Sequence, residues 1–191
     1  MTHITLDNDL PGLLGLLAYR QDTAKPLLDL VQVLLEGPST LSPGERELIA
    51  SIVSKASDCA FCTNAHGAFA ATTIEGGADT VSKAQDDPAC APVSPRVQAL
   101  IDIALAVKEG GHAVTGDLVS AALTAGATER EVHDAVLLAS TFALFTRYVD
   151  GLGTAAPEDP AWYEQMAGNL AQGGYAGMAQ MLAQAPQSAK A

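Results

Sequence analysis

Four residues carry the chemistry this sequence could perform: Glu47, Cys59, Cys62 and His66. Two cysteines three residues apart on a helix can close a disulfide with little backbone movement. Cys62 and His66 stand four residues apart, so an imidazole one turn on could reach the sulfur and take its proton. At about 100° per residue, Cys59, Cys62 and His66 fall within about 60° of one helix face. A helix N-terminus would favour a thiolate at Cys59 and the histidine one at Cys62, and spacing does not rank the two. Glu47 lies twelve residues before Cys59. A helical hairpin could bring its carboxylate behind His66, where it would hold the tautomer and stabilise an imidazolium. Glu47 also shares a face with Ser51, Ser54 and Asp58, which reads equally as a solvated stripe.

Helices must position these groups. Apolar residues recur at helical spacing almost throughout, and no alternating run suggests a strand. The expected helices are Leu10–Tyr19, Ala24–Leu35, and one opened by Ser42-Pro43-Gly44-Glu45 that runs to Ala56. Ser57-Asp58 is the expected N-cap of the motif helix, with Cys59 in its first turn and Gly76-Gly77 at its end. A short helix follows near Asp79–Ala84, then a Pro-rich connector over 86–95 containing Cys90. The second half is expected to hold Arg96–Lys108, Thr115–Ala125, and a long helix from the Thr128…Glu131 capping box to Tyr148. A helix near Trp162–Leu170 leads to a break at Gly173-Gly174 and a last apolar stretch, Met178–Leu182, and residues 186–191 are expected to form a frayed tail. The expectation is one all-α domain over 1–191, with a motif-bearing half over about 10–85 packed on a second half over about 95–185.

Composition narrows the partners. The chain has 191 residues, 48% of them apolar and 17% charged, with a formal net charge of −12. Ten scattered basic residues do not make a phosphate-tracking surface, so nucleic acid is not an expected partner. No apolar stretch approaches the ~20 residues of a membrane span, and the N-terminus has no signal-peptide pattern. A cytoplasmic location is expected. Three cysteines are too few for a structural disulfide framework, so the Cys-x-x-Cys points to redox or metal chemistry.

The pattern Glu47-x11-Cys59-x2-Cys62-x3-His66 resembles the signature of the alkylhydroperoxidase D-like proteins of the carboxymuconolactone decarboxylase superfamily. Leu41–Ala50 resembles the text that leads into that motif, and Ala121–Val132 its second-half repeat. Leu10-Pro-Gly and Arg147–Leu152 are similar to the superfamily's peroxidase-related branch. The resemblance implies an all-α bundle that assembles into homo-oligomers. It also implies a cofactor-free peroxidase reducing a small hydroperoxide through a CxxC cycle, re-reduced by a dithiol or protein reductant. Carried over by position, Cys62 attacks the peroxide, Cys59 resolves, and His66 and Glu47 relay protons. One position departs: a second histidine before the second cysteine is replaced by Phe61, which cannot relay protons.

Two other readings use the same residues. Glu47, Cys59, Cys62 and His66 could supply four zinc ligands, although structural zinc sites usually draw on separate knuckles. Alternatively the disulfide could serve exchange or redox sensing without peroxide turnover. Cys90, His3, His112 and His133 are isolated, and Arg147, Tyr148 and Asp150 could line a pocket or end a helix.

Overall fold

The computed structural model describes residues 2–183. Among them the chain forms α1 (Gly12–Tyr19), α2 (Gln21–Glu36), α3 (Pro43–Ala56), α4 (Ala60–Thr73), α5 (Gly77–Asp86), α6 (Pro95–Glu109), α7 (Gly116–Thr124), α8 (Glu129–Gly151) and α9 (Pro160–Ala183). Single 3-10 turns lie at Pro88–Cys90 and Gly111–Ala113. No strand occurs among the described residues, so the chain is all-α. No described helix is long and apolar enough to cross a membrane. The expected tail over 186–191 lies outside the described residues.

α3 is the axis of the fold. It packs against α2, α4, α5, α6 and α8. Leu48, Ile49, Ala50, Ile52 and Val53 are all sealed from solvent, as suits a helix surrounded by others. One apolar cluster runs from Leu16 and Leu17 of α1 through α3, α4, α6 and α8 to Tyr175 and Leu182 of α9.

Both capping boxes form as expected. Ser42 accepts from the Glu45 N–H and Glu45 from the Ser42 N–H, and Thr128 and Glu131 repeat the arrangement at the start of α8. Arg96 ties the two together, donating to Glu131 and lying 3.7 Å from Glu45. Arg46 closes α2 by donating to the carbonyls of Leu34 and Gly37 at 3.0 and 2.9 Å.

Several boundaries differ from expectation. α2 starts three residues early, at Gln21, and accommodates Pro26. α4 ends at Thr73 rather than at the glycine pair, which instead opens α5. Thr115 is the N-cap of α7, accepting from the Leu118 N–H, and is not a helical residue. α9 carries the expected break: two helical segments meet at a kink where Gly174 adopts φ 60°, ψ −175°, and Met178–Leu182 lies in the second of them.

Candidate active site

The α3–α4 hairpin builds the site. Its turn is a Schellman closure: the Asp58 N–H donates to Lys55 O, and the Cys59 N–H donates to Ser54 O at 3.1 Å. Asp58 sits in the left-handed region at φ 59°. Ser57-Asp58 is therefore not the N-cap of α4. Asp58 is consumed in ending α3, and Cys59 itself is the N-cap, one position before the first helical turn. Its carbonyl accepts from the Thr63 N–H at 3.0 Å and from Thr63 Oγ1 at 2.8 Å. The residue that closes one helix thus opens the next, which fixes the Cys59 backbone from both sides.

The two sulfurs lie side by side, reduced and buried, with Cys59 0% and Cys62 2% exposed. Each shifts the ionisation of the other. The Cys62 thiol donates toward Cys59, and chiefly for that reason the Cys59 thiol lies below its usual range, helped by the Cys62 backbone N–H. The same hydrogen bond, then burial and the Cys59 charge, hold Cys62 well above its usual range. The first negative charge therefore resides on Cys59. Asp150, at the end of α8, opposes it by like charge. With Ser57, Asp58, Lys108, Thr146 and Arg147, Asp150 lines a cleft of about 430 Å³ beside the Cys59 turn.

Glu47 and His66 meet as the hairpin geometry suggests. Glu47 stands about nine residues before the end of α3 and His66 about six after the start of α4, comparable heights at 1.5 Å per residue. The His66 Nδ1–Glu47 Oε2 distance is 2.6 Å. The solvated-stripe reading of Glu47 does not hold: Glu47, Ser51 and Ser54 are all buried. Ser51 donates to Thr63 O at 3.1 Å and accepts from Gln85, so the stripe is a polar seam between α3, α4 and α5. The rings of Phe142 and Phe69 meet the imidazole edge-on at 4.5 and 5.4 Å.

His66 makes no hydrogen bond to either sulfur among the described residues, in contrast to the direct i, i+4 contact expected from spacing. With Nδ1 turned to Glu47, Nε2 has no hydrogen-bond partner among the described residues, and it is not sealed from solvent. A water or a substrate oxygen can therefore occupy the position next to Nε2.

One member of the site was not found from sequence. The Tyr175 hydroxyl, from α9, donates to Glu47 Oε1 at 2.7 Å and lies 3.5 Å from His66 Nδ1. It is 128 residues from Glu47, and no local signal beyond the preceding glycine pair marks it.

The remaining candidates lie elsewhere. Phe61 is packed among Trp162 and Tyr163, with a bare Gly12 against its face, where a Cβ would come within 2.2 Å of the ring. Its side chain fills a gap between α1, α4 and α9. Cys90 is exposed on its 3-10 turn, and His133 pairs with Asp134 on the surface. The zinc reading finds no support in the geometry: no group of three or more His, Cys, Asp or Glu among the described residues is disposed to hold a metal ion.

Residues 21–75 match the carboxymuconolactone decarboxylase family, and this segment contains Glu47, Cys59, Cys62 and His66 but not Tyr175. No curated protein matches the chain significantly. Among solved structures the chain is similar to the alkylhydroperoxidase AhpD core of an uncharacterized peroxidase-related protein from Ralstonia eutropha JMP134. That similarity is 25% identity and a TM-score of 0.73 over 83% of this chain and 81% of the other. It is also similar to an uncharacterized peroxidase-related protein from Silicibacter sp. TM1040, at 22% identity and a TM-score of 0.72 over 81% and 78% of the two chains. The segment that matches the carboxymuconolactone decarboxylase family bears the Glu-Cys-Cys-His constellation, and it lies within a helical fold that the chain shares with these two solved structures along about four-fifths of its length.

Proposed function

We propose that the protein is a cofactor-free thiol peroxidase of the alkyl hydroperoxide reductase type. The observation that carries this reading is a buried Cys59/Cys62 dithiol at the start of the helix that also carries His66, itself held by Glu47. In the resting site the charge is on Cys59 and the proton on Cys62. Transfer of that proton along the hydrogen bond makes Cys62 the thiolate. Cys62 then attacks one peroxide oxygen, the O–O bond breaks, and the alkoxide leaves with a proton supplied through His66. Cys62 is left as a sulfenic acid. Cys59, freed of its proton, attacks the Cys62 sulfur, and hydroxide leaves as water. The cysteine pair has lost two electrons and the hydroperoxide has become an alcohol. A dithiol or protein reductant restores the thiols by exchange. Assembly into a homo-oligomer belongs to this proposal, and exposed Leu30, Val33, Leu137 and Leu144 offer apolar surface for it.

The test is turnover of cumene hydroperoxide by the reduced protein with a dithiol such as dihydrolipoamide. Wild type is expected to turn over, Cys62→Ser to be inactive, and His66→Gln to be slowed. A second reading, disulfide exchange or redox sensing, draws on the depth of both sulfurs, which a bulky reductant reaches only if the site opens. A disulfide that forms on oxidation while no hydroperoxide is turned over with any dithiol would favour that second reading.

A further inference from the structure

We propose that Tyr175 is a positioning residue of the Glu47–His66 pair, fixing which imidazole nitrogen carries the proton. The proposal rests on the reading of that pair as a proton relay. The Glu47 carboxylate divides its oxygens, with Oε2 facing His66 Nδ1 at 2.6 Å and Oε1 accepting from the Tyr175 hydroxyl at 2.7 Å. A carboxylate with one acceptor site free could rotate or shift its contact. With both oxygens occupied, its plane is set. The Tyr175 oxygen, its proton already committed to Glu47, presents a lone pair 3.5 Å from Nδ1. Two acceptors then flank Nδ1 and none among the described residues reaches Nε2. The proton belongs on Nδ1, and the neutral ring keeps its lone pair at Nε2, the nitrogen that solvent can reach. That is the atom able to take a proton from a thiol or hand one to a leaving oxygen.

Tyr175 is built to donate. It is 3% exposed. Burial first, then the charge of Glu47 and its hydrogen bond, push the phenol well above its usual range. Glu36 from α2 and Cys62 from α4 act in the same direction. The Phe69 ring meets it edge-on at 6.2 Å.

The backbone delivers it deliberately. Gly174 adopts φ 60°, ψ −175°, a conformation essentially confined to glycine. A Cβ there would stand 2.6 Å from Glu36 Oε2. The break frees the Ala176 N–H, and Gln32 Oε1 accepts from it at 3.0 Å. Gln32 in turn donates to Glu36 at 2.6 Å. α2 thereby clamps the break that turns Tyr175 inward.

The experiment follows thiol alkylation by monobromobimane in the reduced full-length protein from pH 5 to 9, which needs no peroxide activity. Wild type, Tyr175→Phe, Gly174→Ala and His66→Gln are compared, with ring-15N NMR of His66. Wild-type His66 is expected to be the Nδ1–H tautomer when neutral. Tyr175→Phe should slow alkylation near neutral pH roughly five- to tenfold, the effect of one hydrogen bond, and displace the profile along the pH axis. Gly174→Ala should reproduce this with the hydroxyl still present. A wild-type Nε2–H tautomer overturns the proposal without any variant. So does a Tyr175→Phe protein whose profile is unchanged while His66→Gln alters it, and in that case the relay itself survives. An unchanged profile in His66→Gln removes the relay and this proposal together.

Discussion

Replacing Glu47 by Gln tests the relay at its most constrained point. The carboxylate accepts from His66 at 2.6 Å and from Tyr175 at 2.7 Å. Glutamine keeps the shape but offers one oxygen and one NH2. If the oxygen stays with Tyr175, the amide N–H faces Nδ1 and drives the ring to the Nε2–H tautomer, the wrong form for a base at Nε2. If it stays with His66, the Tyr175 hydroxyl loses its acceptor. Either way one hydrogen bond to an ionised group disappears, a loss of about 1.5–3 kcal/mol. At about 1.4 kcal/mol per factor of ten, the rate should fall about 10- to 150-fold. Stability should change less than this, because removing a buried carboxylate also removes its desolvation cost, and a neutral imidazole is not left as an orphaned charge. The assay is stopped-flow measurement of hydroperoxide-dependent Cys59–Cys62 disulfide formation, with urea denaturation of the same variant. A Glu47→Gln rate within twofold of wild type would refute the reasoning, and a stability loss as large as the rate loss would recast Glu47 as a structural residue.

Two further outcomes follow from the same geometry. Folding holds the Cys62 pKa above its unfolded value, so above about pH 8.5 the unfolded chain releases a proton that the folded dithiol keeps. Stability of the reduced protein should then fall as pH rises above about pH 8.5, with the slope approaching about 1.4 kcal/mol per pH unit from about pH 9.5. Cys59, with its folded pKa lowered, adds no slope there because it is ionised in both states. Urea titrations of wild type against Cys62→Ala should differ by that slope, and parallel curves would contradict the raised Cys62 pKa. At the hairpin turn, Asp58→Val places a β-branched residue at φ 59° and should cost about 1–2 kcal/mol, with slower disulfide closure, whereas Asp58→Gly should be tolerated. Equal denaturation midpoints for the two variants would show that the turn does not constrain Cys59.

Much of the site was legible because its signals are local. Ser42…Glu45 and Thr128…Glu131 form capping boxes from residues three apart, and both start helices as expected. Glu47 and His66 meet because two helices joined by a tight turn must run antiparallel, and twelve residues on one side balance the short run on the other. The N-cap was misplaced by one or two residues because Asp58 suits both a helix start and a left-handed helix end. Only the backbone, with φ 59° at Asp58, shows that it ends α3. Glu47, Ser51 and Ser54 looked like a wet face because polarity along a helix says nothing of what packs on it. α5 and Gln85 cover Ser51, while Tyr175 of α9 donates to Glu47.

The sequence by itself determined the helical class, the order of most elements, and the presence of two thiols, an imidazole and a carboxylate on adjoining helices, since periodicity, caps and spacing act over a few residues. Tertiary structure decided how those groups are wired. It lowered the Cys59 thiol and raised the Cys62 thiol, kept the imidazole off the sulfurs with Nε2 open, and brought Tyr175 across 128 residues to Glu47. These outcomes depend on burial and on contacts between elements distant in the chain, for which no short stretch of sequence carries a signal.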